Sequence, residues 1–146
     1  MNFSSADDLE AFGVRLAAAV RVGDVIALSG DLGAGKTTLA RGLLRGLGLE
    51  GEAPSPTFTI VQTYEPPETR LPVWHCDLYR LEDPEEAIEL GLEEAFDTAI
   101  VLIEWPERLG GFLPASALRL RLNGAGEPQR RLTAAVPPGW EARWPL

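Results

Sequence analysis

A chain of 146 residues and 15.8 kDa supplies one hydrophobic core, and 15 glycines with 12 prolines are too few for a low-complexity or collagen-like protein. The net charge of −9 is concentrated in residues 82–97, which hold eight acids and no base and leave 14 acids against 13 bases elsewhere. That balance offers no basic tract to follow a phosphate backbone, which argues against strong direct nucleic-acid binding, and no run approaches the roughly 18 apolar residues of a membrane span.

The opening residues, MNFSSADDLE, carry neither the basic nor the apolar part of a secretory leader, so a cytoplasmic location is the expectation. Ser5 starts an S-x-x-D pattern with Leu9, Phe12, Leu16 and Val20 behind it, which predicts a capped amphipathic helix over about residues 5–21. Val25-Ile26-Ala27-Leu28-Ser29 is almost wholly apolar and reads as a strand covered on both faces, as in a parallel sheet. A glycine-rich loop follows at 30–35, then a helical pattern through Leu39, Leu43, Leu44 and Leu47. Residues 57–64 and Leu71–Cys76 are strand candidates.

The acidic segment places Ile88, Leu92 and Phe96 at helical spacing, with Gly91 weakening its middle; it reads as a helix with either a solvated face or a face for a basic partner. Residues 99–103 (AIVLI) form a second buried-strand run. Residues 118–122 and 131–136 alternate polar with apolar around Asn123-Gly124-Ala125-Gly126, which predicts an antiparallel hairpin at a sheet edge, and the tail 137–146 is read as irregular. The order predicts a single α/β domain over residues 1–146: a mostly parallel central sheet flanked by helices, with a C-terminal antiparallel hairpin.

Gly30-Asp31-Leu32-Gly33-Ala34-Gly35-Lys36-Thr37 satisfies G-x-x-x-x-G-K-[ST], the Walker A or P-loop pattern, and Thr38 follows it. The spacing has a physical reason. Glycines at 33 and 35 allow positive φ, so successive N–H groups converge on one concavity, and the helix beginning at Lys36 adds its unpaired N-terminal donors. Lys36, the only lysine beside twelve arginines, is placed to reach β and γ phosphates, and the Thr37 hydroxyl to meet Mg²⁺. ATP with Mg²⁺, and ADP after hydrolysis, are the implied ligands.

In open α/β sheets ligands sit beyond the carboxyl ends of the strands. Asp77 closes one strand candidate and Glu104 another, so these acids are the candidates to hold Mg²⁺ or orient water. Asp77 is taken as the Walker B carboxylate and Glu104 as metal partner or general base, with the two roles interchangeable; a helix cap or surface carboxylate is the bland alternative for one of them. Ser55-Pro56-Thr57-Phe58-Thr59 reads equally as a γ-phosphate-sensing loop or a proline-stiffened turn. His75, the only histidine, is expected to be packed or hydrogen-bonded rather than catalytic, and Cys76 buried and inert. Lys36, Asp77 and Glu104 are thus the candidate catalytic residues, on a Mg-ATP-binding hydrolase fold. A small-molecule P-loop kinase and a nucleotide-gated interaction module without hydrolysis are the competing readings.

The residues 30–38, then Ser55-Pro56-Thr57-Phe58-Thr59, His75-Cys76-Asp77-Leu78-Tyr79-Arg80-Leu81, Glu89-Leu90-Gly91-Leu92-Glu93-Glu94 and Ile103-Glu104-Trp105-Pro106-Glu107 together resemble the TsaE (formerly YjeE) family across about residues 24–109. That resemblance implies the ATPase subunit of bacterial tRNA threonylcarbamoyladenosine synthesis, weakly active alone. Its implied partners are TsaB and TsaD, with tRNA reached only through that complex. TsaD transfers threonylcarbamoyl to adenosine 37, and the ATPase lets the complex turn over. It also implies phosphate and Mg²⁺ roles for Lys36 and Thr37, a switch role for Thr57, the Walker B position for Asp77, a Mg²⁺ and hydrolysis role for Glu104, and Trp105 beside the site. Cys76 departs from the aromatic or apolar residue expected there, a difference of packing.

Overall fold

A computed structural model describes residues 1–51 and 60–146. In chain order these form β1 (Asn2–Phe3), α1 (Ala6–Ala17), β2 (Val25–Ser29), α2 (Lys36–Gly46), β3 (Val61–Tyr64), β4 (Val73–Asp77), α3 (Pro84–Glu89), α4 (Leu92–Thr98), β5 (Ile100–Glu104), β6 (Leu118–Asn123) and β7 (Arg130–Ala135). Short 3₁₀ segments occupy Pro106–Phe112 and Pro138–Arg143. The strands make one seven-stranded sheet in the order β1-β7-β6-β2-β5-β4-β3. β6, β2, β5 and β4 run parallel, while β3 at one side and β7 with β1 at the other are antiparallel additions.

Why β2 and β5 take the centre follows from their side chains. Ile26, Leu28, Ile100 and Leu102 face α1 and α2, while Val25, Val101 and Ile103 face α3, α4 and the 3₁₀ segment after β5. Both faces need cover, so an alternating polar pattern would be wrong here, and each buried Ile or Leu contributes roughly 1.5–3 kcal/mol. β6 is different: Leu118, Leu120 and Leu122 are buried while Arg119, Arg121 and Asn123 are exposed, the alternation of a sheet flank covered on one face.

Ser5 caps α1 as the sequence predicts, its hydroxyl accepting from the Asp8 amide at 3.1 Å, but the helix ends at Ala17, earlier than residue 21. The acidic segment is two short helices rather than one. Gly91 at φ +90° ends α3 and starts α4, and Ala87, Leu92 and Ala95 form the buried stripe. Seven of its eight acids are exposed. β4 begins two residues later than read and includes Asp77. The C-terminal hairpin is not at the edge, because β1 pairs outside β7. The tail carries a 3₁₀ segment whose Trp140 is buried and whose Arg143 forks onto Asp24 at 2.6 and 3.0 Å. Residues 55–59, including Thr57, lie outside the described residues.

Helices α1 and α2 lie against each other on one sheet face at backbone distance. A Cβ on Gly42 would stand 2.1 Å from the Glu10 carbonyl oxygen, and one on Gly13 would stand 2.4 Å from that of Leu39. The close approach lets α1 brace α2, whose first turn carries Lys36 and Thr37. Gly42→Ala is therefore expected to destabilise the protein by about 1–3 kcal/mol, overriding the helix-propensity gain of about 1 kcal/mol that alanine brings. Urea midpoints check this against Gly111→Ala, a site whose added Cβ meets nothing within 4 Å. Cys76 is fully buried on β4, and burial pushes its thiol up to about 12. Iodoacetamide at pH 8 should leave the native thiol unlabelled until urea unfolds the chain; rapid native labelling would contradict the packing of β4.

Candidate functional site

Three parallel strands finish side by side. In the register of the sheet Leu28 lies opposite Glu104, and Glu104 opposite Asp77, so the end of β2 and both strand-end acids share one line. The chain leaves β2 through Gly30, Gly33 and Gly35 at φ +147°, +81° and +108°, and Gly35 is the N-cap of α2. Glycine adopts left-handed backbone at these positions without strain, whereas any side chain would be strained there; at Gly30 a Cβ would also meet the Leu122 carbonyl oxygen at 2.5 Å. The loop opens onto a cavity of about 360 Å³ lined by Leu32, Gly33, Gly35, Lys36, Thr37 and Thr38 together with Asp77, Glu104 and Trp105.

Lys36 is only 5% exposed. Its ammonium donates to the carbonyl oxygens of Gly30 and Asp31, the latter at 3.0 Å, and lies 4.4 Å from the Trp105 ring centroid. Burial pulls its pKa below the usual lysine value, while the carboxylates of Glu104, Asp77, Glu107 and Asp31 oppose that shift. Thr37 donates through Oγ1 to Glu104 Oε1 at 3.0 Å, with Oε2 at 3.3 Å. Glu104 is 2% exposed, and its Oε2 lies 2.6 Å from His75 Nε2. Asp77 is half-buried and accepts from the Tyr79 amide at 3.1 Å. Burial raises its pKa, the Tyr79 amide counteracts this, and neighbouring Glu104 adds to the rise.

Trp105 turns the chain away from β5 in a left-handed conformation, φ +61° and ψ +53°, with its amide on the Leu28 carbonyl at 3.3 Å. That turn aims its ring back over the cavity, where it also packs on Tyr79 at 4.9 Å. Of the loop residues, Ala34 alone is buried among the core side chains, and Gly30 and Asp31 serve through their carbonyls. Tyr79 and Arg80 line the cavity as well. The signal for Tyr79 is an aromatic two residues beyond a strand-end acid.

Among the described residues no three of His, Cys, Asp and Glu gather into a metal cage. The donors present are one hydroxyl and two carboxylates beside a phosphate-type loop. That set suits a hard divalent ion sharing its coordination with phosphate and water, as Mg²⁺ does, and does not suit a softer metal that asks for imidazole or thiolate. The N-terminal turn of α2, one ammonium and these oxygens, all lining one cavity, suit it to a polyanion together with such an ion.

Comparison with known proteins supplies the relationship. The family model described as "Threonylcarbamoyl adenosine biosynthesis protein TsaE" matches residues 3–132. The Bacillus subtilis tRNA threonylcarbamoyladenosine biosynthesis protein TsaE is 40% identical over 128 residues, 87% of this chain and 78% of its own length. Its namesake from Treponema pallidum is 36% identical over 132 residues, 90% of this chain and 96% of that one. The crystal structure of Bacillus subtilis YdiB superposes with a TM-score of 0.81 at 33% identity, covering 97% of this chain and 88% of the other. On this match and these identities, the chain belongs to the TsaE family.

Proposed function

We propose that the protein acts in tRNA threonylcarbamoyladenosine biosynthesis as its Mg²⁺-dependent ATPase, binding ATP in the cavity and supporting turnover of a TsaB–TsaD transferase complex in the cytoplasm. The observation that carries this reading is the hydrogen bond from Thr37 to Glu104 at the foot of a glycine-rich loop that also presents Lys36. It ties the hydroxyl suited to a divalent ion to a strand-end carboxylate beside the loop, which supports reading the cavity as a nucleotide–metal site.

The roles follow from position. The loop amides and the first turn of α2 donate to phosphate oxygens. Lys36 supplies the compact positive charge for the β and γ phosphates. Thr37 and Glu104 would hold Mg²⁺, which when bound neutralises charge developing on those phosphates. The Thr37 contact supports Glu104 as the carboxylate joined to the metal-binding hydroxyl. Asp77, in register beside it and more accessible, then orients water. Of the arrangements that the sequence leaves open, this takes the one with Glu104 on the metal and Asp77 on the water. Trp105 and Tyr79 pack on each other and line the cavity.

Reconstitution tests the reading. ATP hydrolysis and tRNA modification are measured with TsaB, TsaD and tRNA, omitting each in turn. The isolated chain should hydrolyse ATP slowly and the complex faster. Lys36→Ala should weaken ATP binding or turnover about tenfold or more. Near-normal activity of that variant, or phosphate transfer to a small acceptor without stimulation by the partners, would overturn it.

Asp77 carries a second expectation. Its folded pKa is raised, so it contributes stability below the ordinary carboxylate pKa and loses it as pH rises through the folded value. Asp77→Asn, whose amide oxygen can still accept from Tyr79, should raise Tm at pH 7. The gain should shrink as the buffer is acidified through the raised folded value and be gone below about pH 4. A gain independent of pH would contradict burial as the cause.

A further inference from the structure

Behind Glu104 stands a contact that the roles above leave unused. His75 lies in the middle of β4, fully buried, and its ring does not line the cavity. Its Nε2 is 2.6 Å from Glu104 Oε2. A carboxylate oxygen only accepts, so with Glu104 as a carboxylate this contact requires the Nε2-protonated tautomer, in which Nε2 donates. Glu104 therefore receives one hydrogen bond from the imidazole on the β4 side and another from Thr37 on the α2 side. A glutamate has three side-chain torsions, and two directional bonds from separate elements fix them more firmly than either alone. Keeping the histidine has a cost: its Nδ1 is buried without a partner among the described residues. A leucine or phenylalanine would fill that core position without an unpaired nitrogen.

We propose that His75 is a positioning residue of this site: it donates through Nε2 to Glu104 and thereby sets the carboxylate that meets the Thr37 hydroxyl. The magnesium dependence of nucleotide binding then runs through an imidazole that touches neither the nucleotide nor the ion. The inference rests on the Mg²⁺-nucleotide reading of the cavity.

Two measurements on the full chain test it. Calorimetry compares ADP affinity in EDTA and in Mg²⁺ for the wild type, His75→Phe and His75→Gln. The wild type should bind more tightly with Mg²⁺. His75→Phe should lose about 10–100-fold of that increment while its metal-free affinity stays within about twofold of wild type. His75→Gln, which places an amide N–H near the former Nε2, should recover most of it. A parallel fall in both affinities would assign His75 to packing and overturn the proposal, as would an increment that survives in His75→Phe. A wild type that binds ADP with no magnesium increment, or not at all, overturns the site reading and this inference with it.

The second measurement needs no variant. His75 is the only histidine, so long-range ¹⁵N–¹H correlation of the imidazole reports on it alone. The Nε2-protonated ring supports the proposal, and a neutral ring protonated at Nδ1 overturns it, since Nε2 could not then donate.

Discussion

Parallel alignment of β2, β5 and β4 is the constraint from which the site follows. Parallel strands end at the same side of a sheet, and here their register leaves Leu28, Glu104 and Asp77 abreast. Residues 76 positions apart in sequence, from Leu28 to Glu104, are held within one ladder step by backbone hydrogen bonds. No loop has to be positioned to bring the acids to the glycine-rich turn. Their placement is as rigid as the two-sided core that covers β2 and β5.

The helical layer acts on the same point from the opposite direction. α2 begins at the loop, so any rotation of α2 would swing Lys36 and Thr37 away from Glu104. Gly13 and Gly42 let α1 approach α2 until backbone meets backbone, and Leu9 packs so closely on the loop that a Cβ on Gly35 would fall 2.5 Å from its Cδ2. Arg143, paired with Asp24 just before β2, fastens the C-terminal tail near the start of the same strand. Packing and chemistry are thus adjacent consumers of the same few residues.

Elements governed by local pattern were legible in the sequence. The runs 25–29 and 99–103 show two-sided burial directly, Ser5 shows its cap, and the P-loop spacing reveals Lys36 and Thr37 before any strand is placed. Elements governed by tertiary contact were not. β1 spans two residues and exists because β7 offers it an edge; two residues carry no periodicity. The break at Gly91 was visible as a weakness, but whether a glycine interrupts a helix depends on how the flanking turns pack on the sheet. Asp77 and Glu104 both read as strand-end acids, and only strand order shows that Glu104 is on the strand beside β2 and so reaches Thr37. His75 was legible as a hydrogen-bonded core residue; its partner, 29 positions away, was not.

The contacts of Lys36 have a consequence for any anion that enters the cavity. The ammonium already has two carbonyl acceptors and an aromatic face. An incoming oxygen therefore exchanges for existing partners instead of filling an empty valence, and the net free energy is the difference between two satisfied arrangements. Such an exchange sets a threshold. Chloride, with a single charge and no fixed array of oxygens, replaces too little of what it displaces, whereas a multiply charged group that also engages the loop amides can repay the loss several times over.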